Sequence, residues 1–264
     1  EEVAIGSEYV NCGIVVDIDE DGFNIQRPSG HLVLVPWEDI DIAAVTDDNL
    51  VLRAACRLFR LKLERQQRVT DYLSQRGIRW RQLQSDFDIG GNDLPLDALS
   101  GYMQFYPNAI DLLIGGVISK RSTVLRPAVV APLRDEARAL VGVQLRRCED
   151  KKPPSYVTHF RDPKKKEEYL YGLHLDATRL AAAKEGLVVV CNGVFDCWAC
   201  HQDQHHNAVA TLDDGISKTQ LARVKQLGVK EIVLGFTSEK EIGIAWALAR
   251  GDLDLVVSRI DSDH

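Results

Sequence analysis

LVVVCNGVFDCWACHQDQHHNAVATL, residues 187–212, sets an apolar run, a glycine turn, a helix-like segment and a second apolar run in succession with no linker between them. Leu187, Val188, Val189 and Val190 show no polar alternation, which suits a strand buried on both faces, the habit of parallel sheets flanked by helices. Gly193 permits a sharp turn after that strand. Side chains near the turn then stand at the strand's carboxyl end, where open α/β sheets collect ligands. Asn192 and Asp196 bracket the turn.

Working outward, the same alternation continues to the end of the chain. Helices are expected through Asp176 to Lys184, Phe195 to Gln204, Lys218 to Leu227 and Glu239 to Arg250, with strands at Ala208 to Ala210, Glu231 to Phe236 and Leu253 to Ser258. Strands alternating with helices make a parallel sheet with covering helices. Toward the other end, Tyr9 to Ile18, Gly22 to Arg27 and His31 to Val35 are β-rich runs separated by Asp-Gly and Pro-Ser-Gly turns, which read as a small meander or partly open barrel, of SH3-like type as one form. From about Asp48 the period becomes helical, and one long basic helix is expected up to Gly77. A short helix is expected around Ile110 to Ile118, and two neighbouring strands flank a turn at Asp135 to Arg138.

The 264 residues suffice for one large or two modest domains with real cores, and the net charge of −7 excludes indiscriminate nucleic-acid binding. That charge is unevenly spread. Glu1 to Asp48 is acidic, whereas Arg53, Arg57, Arg60, Lys62, Arg65, Arg68, Arg76 and Arg79 form a basic segment, and a second basic band spans Lys120 to Lys166. Any nucleic acid is therefore expected on the middle of the chain. Nothing reads as a bilayer span or a signal peptide, so no membrane partner and a cytoplasmic location are expected. The six cysteines sit in apolar segments and are expected as reduced thiols. Met103 is the sole methionine, so a piece of a longer polypeptide is expected.

Several of these stretches carry a family signal. Asn192-Gly193-Val194-Phe195-Asp196, then Ala199-Cys200-His201-Gln202 and Asn207-Ala208-Val209-Ala210 resemble the Toprim domain of DnaG-type bacterial primases. Tyr72-Leu73-Ser74-Gln75-Arg76-Gly77 resembles the family's YLxxRG, and Leu83…Phe87…Ile89-Gly90 the segment that follows it. Leu125 to Asp135 is similar to the family's FRxRIxFPIRD, Leu140 to Arg146 to its VIGFGGR, and Leu170-Tyr171-Gly172-Leu173 to its LYGL. Ser155-Tyr156-Val157-Thr158 departs from its Lys-Tyr-Leu-Asn. The resemblance covers roughly Asp71 to His264.

It implies an α/β chain, α+β overall, in three parts. Residues 1–46 form the small acidic β module, 47–166 a basic mixed α/β subdomain like the N-terminal part of the polymerase core, and 167–264 a Toprim-type parallel sheet flanked by helices. It also implies Mg²⁺ or Mn²⁺ if the chain is active, held at three strand ends by carboxylates. Of the family's acids, Asp196 is kept, Glu239 is a longer substitute, and Asp261 and Asp263 preserve the last pair. Asn192 and Thr237 stand where the family has acids, and an amide can neither act as a base nor bring charge to a metal. Arg126, Arg146, Arg147 and Lys166 are the implied contacts to nucleic acid or nucleotide.

The reduced acid set implies a primase-like protein of DNA replication with reduced or absent primer synthesis and retained nucleic-acid or partner binding. An active form would be a DNA-directed RNA polymerase, a nucleotidyltransferase using NTPs on a single-stranded DNA template; a helicase or second primase subunit is the implied protein partner. A Toprim nuclease or topoisomerase-like strand breaker ranks lower, because the residues before residue 167 match the primase core and no tyrosine is identifiable as nucleophile. Cys197-Trp198-Ala199-Cys200-His201 spells the Cys-x-x-Cys-His of c-type haem attachment, but it occupies helix positions in the primase pattern, so no haem is expected. Zinc is not expected either, since the pair lacks a matched second pair. Cys12 and His31 likewise have no paired ligands at zinc spacing.

Overall fold

The computed structural model describes residues 14–18, 22–26, 32–36, 56–57, 59–93, 127–149, 156–213, 215–236, 242–243, 245 and 256–259. Three strands come first, β1 (Ile14–Ile18), β2 (Gly22–Gln26) and β3 (Leu32–Pro36), paired antiparallel in the order β1-β2-β3 with a register shift between Val15 and Asp17. The expected β meander is present. The expected helix at Ile110 to Ile118 lies outside the described residues.

The single long basic helix expected up to Gly77 is interrupted. Residues 59–61 are helical, a 3-10 turn follows at Leu63–Arg65, and α1 (Gln67–Gln75) begins only after Gln66. Gln66 leaves helical geometry because its amide has other work. The side chain is buried and its Oε1 accepts the Asp93 N–H at 2.7 Å, beside the end of β4 (Gly90–Asn92). Gly90 and Gly91 allow this close packing, since a β-carbon on them would stand 2.8 Å from Phe59 Cβ and 2.7 Å from Gln66 Oε1 respectively. At its other end α1 closes on Gly77, at φ +71°, with the Ile78 N–H returning to Leu73 C=O. Next is α2 (Trp80–Phe87).

The strands β4, β5 (Ala128–Arg134), β6 (Leu140–Arg147) and β7 (Tyr156–Phe160) form a sheet in that order. The turn between β5 and β6 is held by Asp135, whose N–H donates to Ala139 C=O and whose carboxylate accepts the Ala139 N–H. By packing, the chain divides into two compact units, one of residues 1–72, 88–130 and 144–159, the other of 73–87, 131–143 and 160–264.

The second unit holds the expected parallel sheet. It contains α3 (Asp176–Glu185), β8 (Leu187–Cys191), α4 (Val194–Gln202), β9 (Ala208–Ala210), α5 (Lys218–Gln226), β10 (Glu231–Gly235) and β11 (Val256–Arg259). The strand order is β11-β10-β8-β9, and all three pairings are parallel. Local chemistry sets the helix ends. Gly186 at φ +70° closes α3, and Ser217 with Gln220 forms a capping box on α5. Val188 and Val190 enter a core with Ala182, Leu221, Val224 and Ile232. Leu187 and Val189, on the alternate face, stay half-buried, so β8 is fully buried on one face where burial on both was expected. Each fully buried valine, leucine or isoleucine side chain there contributes about 1.5–3 kcal/mol.

Candidate catalytic face of the parallel sheet

The carboxyl end of β8 is built by hydrogen bonds to the neighbouring strand end. Thr211 N–H donates to Cys191 C=O at 3.0 Å, and Leu212 N–H to Asn192 C=O at 2.9 Å, Leu212 taking φ +61° to do so. The backbone of Asn192 is thereby fixed, with the side chain half-buried. Gly193 then caps α4 in extended geometry with no side-chain hydrogen bond. Asp196 lies in the first turn of α4, exposed, with its Oδ2 folded back to within 3.5 Å of where a β-carbon on Gly193 would stand. A carboxylate so placed is favoured by the helix N-terminus.

The motif residues that carry the family signal mostly hold this turn in place. Trp198, fully buried on α4, donates its indole N–H to Tyr171 Oη at 3.0 Å. Phe87 stacks on Tyr171 with ring centres 5.4 Å apart and meets His201 edge-on at 5.0 Å. Gly172, at φ +97°, lets that segment press on β9; a β-carbon there would lie 3.0 Å from Ala208 C=O. Gln202 accepts the Arg79 N–H and donates to Gly77 C=O, both at 2.9 Å, tying α4 to the turn before α2. Asn207 donates to Glu185 at 2.8 Å and to Leu187 C=O, joining the end of α3 to the start of β8.

His201 is part of this support. Its Nε2–H donates to Ala208 C=O at 2.9 Å, and burial pushes its pKa below the ordinary imidazole value. A histidine depressed in the fold contributes stability that is complete above the unfolded pKa of about 6.5 and is lost as pH falls from there toward the folded pKa. Thermal melts between pH 8 and pH 5 are therefore expected to show the midpoint falling below about pH 6.5. In His201→Gln, which keeps a donor toward Ala208, that part of the pH dependence should vanish.

Lys166 reaches the same face. It stands on a 3-10 turn, Pro163–Glu167, capped by Asp162, and pairs at 2.8 Å with Asp213, the residue following Leu212. Both side chains are exposed, so the pair adds little stability. Asp213 was not singled out in the sequence, and Arg76 was named there only as part of a basic segment and a motif, with no place at this face. Arg76 places its guanidinium 5.8 Å from the centre of the Phe195 ring, next to Asp196. The signal for Arg76 was its place in the YLxxRG-like stretch; for Asp213 it was an acid directly after a strand end.

Arg146 and Arg147 belong to the other unit. Arg146 is half-buried and donates Nε–H to Tyr72 Oη at 3.2 Å, whereas Arg147 is only 4% exposed, so its side chain is not displayed on this chain's surface. Arg126, Thr237, Glu239, Asp261 and Asp263 lie outside the described residues. Asp196 is thus the one described member of the candidate metal-binding acids, and no cluster of three or more metal-ligating side chains occurs among the described residues. No described helix is long and apolar enough to cross a membrane. Two of the Cys-x-x-Cys-His residues are occupied locally, Cys197 Sγ–H donating to Ala208 C=O at 3.5 Å and His201 to the same carbonyl.

Comparison with solved structures bears on the arrangement as a whole. The zinc-binding and RNA polymerase domains of the Aquifex aeolicus primase align with 89% of this chain and 59% of that one, at a TM-score of 0.68 and 19% identity. The chain has the fold of a DnaG-type primase core. A DnaG catalytic core structure covers 83% of it at a TM-score of 0.65, and the RNA polymerase domain of Mycobacterium tuberculosis primase DnaG covers 82% at 0.65, both at 19% identity. In sequence this primase-like core is 33% identical to the DNA primase of Deinococcus radiodurans over 114 residues, 43% of this chain. It is 24% identical over 187 residues to the DNA primase of Clostridium acetobutylicum. The chain spans 20% and 30% of the length of those two curated relatives. No family model matches it.

Proposed function

We propose that this chain is a primase-like module of DNA replication that binds single-stranded DNA or a replication partner and makes primers poorly or not at all. The observation that carries the reading is a primase-core fold in which the half-buried Asn192 directly follows β8, where the family resemblance places a glutamate, with the exposed Asp196 in the first turn of the helix that follows. Phosphoryl transfer depends on metal-borne charge neutralisation and on a base, and an amide supplies neither. Asp196, Glu239, Asp261 and Asp263 remain as the acids that would hold Mg²⁺ or Mn²⁺, and Thr237 removes a further charge. Lys166, Arg126 and Arg146 are the cations assigned to phosphate, with Arg147 supporting the strand from inside. Residues 1–46, 47–166 and 167–264 are the three parts proposed along the sequence. A helicase or a second primase subunit is the protein partner proposed, in the cytoplasm.

Support for the nucleic-acid half of the reading comes from a structural relative: a DnaG primase catalytic domain bound to single-stranded DNA covers 82% of this chain at a TM-score of 0.64. The test is ribonucleotide incorporation on single-stranded DNA with Mg²⁺ and then Mn²⁺, beside a variant carrying Asp261→Ala and Asp263→Ala. No product is expected, together with salt-sensitive DNA binding whose log–log salt slope drops by about one in Arg146→Ala. Product that disappears in the double variant would instead establish an active metal-dependent RNA primase on a reduced acid set. Absence of both product and DNA binding would leave protein partners as the remaining role.

A further inference from the structure

Among the described residues of the first unit, Arg60 pairs with Asp88 at 3.0 Å, and Arg68 pairs with Asp93 at 3.4 Å and with Glu149 at 2.9 Å. Arg146 is held in another way. Its Nε–H donates to the Tyr72 hydroxyl at 3.2 Å, joining β6 to α1 across 74 residues of sequence. A hydroxyl accepts without carrying charge, so this bond orients the guanidinium without cancelling it. We propose that Tyr72 is the positioning residue for Arg146, setting the guanidinium plane so that its Nη1 and Nη2 fork meets the oxygens of a phosphate, whether of a DNA strand or of a nucleotide, a role that rests on the reading of Arg146 as a phosphate contact.

Tyr72 is a well-fixed acceptor. Its side chain is only 6% exposed, and Val69, one turn earlier on the same face of α1, is fully buried. The start of α1 is anchored as well, because the buried Gln66 accepts the Asp93 N–H at 2.7 Å. On the strand side, Gln144 lies two residues before Arg146 and on the same face of β6. It too is tied to a hydroxyl, its Nε2–H donating to Thr158 Oγ1 on β7 at 2.8 Å. Of the two arginines that end β6, Arg147 faces the other way and is buried, whereas Arg146 stays half-exposed.

Orientation matters because arginine recognises phosphate directionally. The guanidinium is planar, with its N–H donors in a fixed fork, and two parallel N–H···O bonds form only when the phosphate oxygens lie near that plane. Nε–H stands on a different edge of the plane from the Nη1 and Nη2 fork, so the Tyr72 bond and a bidentate phosphate contact are compatible. An arginine side chain is also rich in rotamers, and holding it before the ligand arrives lowers the ordering cost of binding. Removing the hydroxyl should therefore weaken binding while the charge at residue 146 stays the same. A lysine there would keep the charge but has no plane for Tyr72 to set.

The test is a double-mutant cycle on the intact chain, Tyr72→Phe with Arg146→Lys, read by fluorescence anisotropy of a labelled oligothymidine and, in a second arm, of a labelled ribonucleoside triphosphate. The two arms separate the two sources of phosphate. Each single variant is expected to weaken binding of at least one ligand by about three- to tenfold, and for the strand the log–log salt slope of Tyr72→Phe should match the parent's. Combined with Arg146→Lys, Tyr72→Phe should have no further effect, whereas a purely structural loss would be felt in that background too. If Arg146→Ala weakens binding but Tyr72→Phe or Arg146→Lys binds like the parent, or if Tyr72→Phe is equally harmful beside Arg146→Lys, the positioning role is overturned and the reading of Arg146 stands. If Arg146→Ala binds both ligands like the parent, or the parent binds neither, the reading of Arg146 fails and the positioning role falls with it.

Discussion

Trp198→Ala is expected to destabilise the unit that holds the parallel sheet by about 3–5 kcal/mol, the range for emptying a large aromatic site in a packed core. Trp198 is fully buried, and three contacts depend on it: its indole N–H on Tyr171 Oη at 3.0 Å, and its edge or tilted contacts with Phe87 at 6.4 Å and Phe195 at 5.1 Å. Alanine would leave a cavity beneath α4 and take the N–H from the buried Tyr171 hydroxyl. Against a typical margin of about 5–15 kcal/mol, such a loss is large enough to unfold a sizeable fraction of molecules at growth temperature. Urea denaturation followed by circular dichroism measures it. Trp198→Phe, which keeps most of the bulk and removes only the donor, should lose about 1–2 kcal/mol by comparison. If both variants fall within 0.5 kcal/mol or so of the parent, the aromatic cluster is not what holds α4, since surface-like substitutions have about that effect.

This cluster also shows how much of the molecule could be read beforehand. The order β8, α4, β9 was legible because an unalternated valine run, a glycine and a helical segment each carry their own local physics, and the structure places β8 at Leu187–Cys191, α4 at Val194–Gln202 and β9 at Ala208–Ala210. The family-like residues Tyr171, His201, Gln202 and Asn207 were legible as a pattern but not as a purpose. Their roles are hydrogen bonds to distant backbone or side-chain atoms, such as Gln202 Nε2–H to Gly77 C=O at 2.9 Å, and periodicity carries no information about such partners. The helix break at Gln66 was hidden for the same reason, because its cause is an N–H at Asp93. At the candidate site, Asn192 and Asp196 fall at one strand end as read, and Lys166 arrives there through Asp213, a partner that spacing could not foretell.

Asn192→Glu tests whether the missing acid is what limits this face. The substitution should be tolerated by the backbone, because the bond from Leu212 N–H to Asn192 C=O at 2.9 Å does not involve the side chain. A new carboxylate on the turn that also carries Asp196 is repulsive when no cation is present, so the variant is expected to be less stable than the parent in chelator and to regain stability on adding Mn²⁺ or Mg²⁺. At a metal concentration a hundred times its Kd the gain would be about 2.7 kcal/mol, a shift of several degrees in the melting midpoint, while the parent shifts less. If the acid also serves as a base, incorporation of ribonucleotides should rise by about 10²–10⁴ over the parent, the usual span for a positioned general base. Metal-dependent stabilisation without product would place the deficit at Thr237, the second position where a family acid is replaced, and the double variant with Thr237→Asp is then the deciding measurement. A variant that gains neither metal response nor product would mean that Asp196 and the acids after residue 236 do not converge on residue 192, and that binding is the face's function.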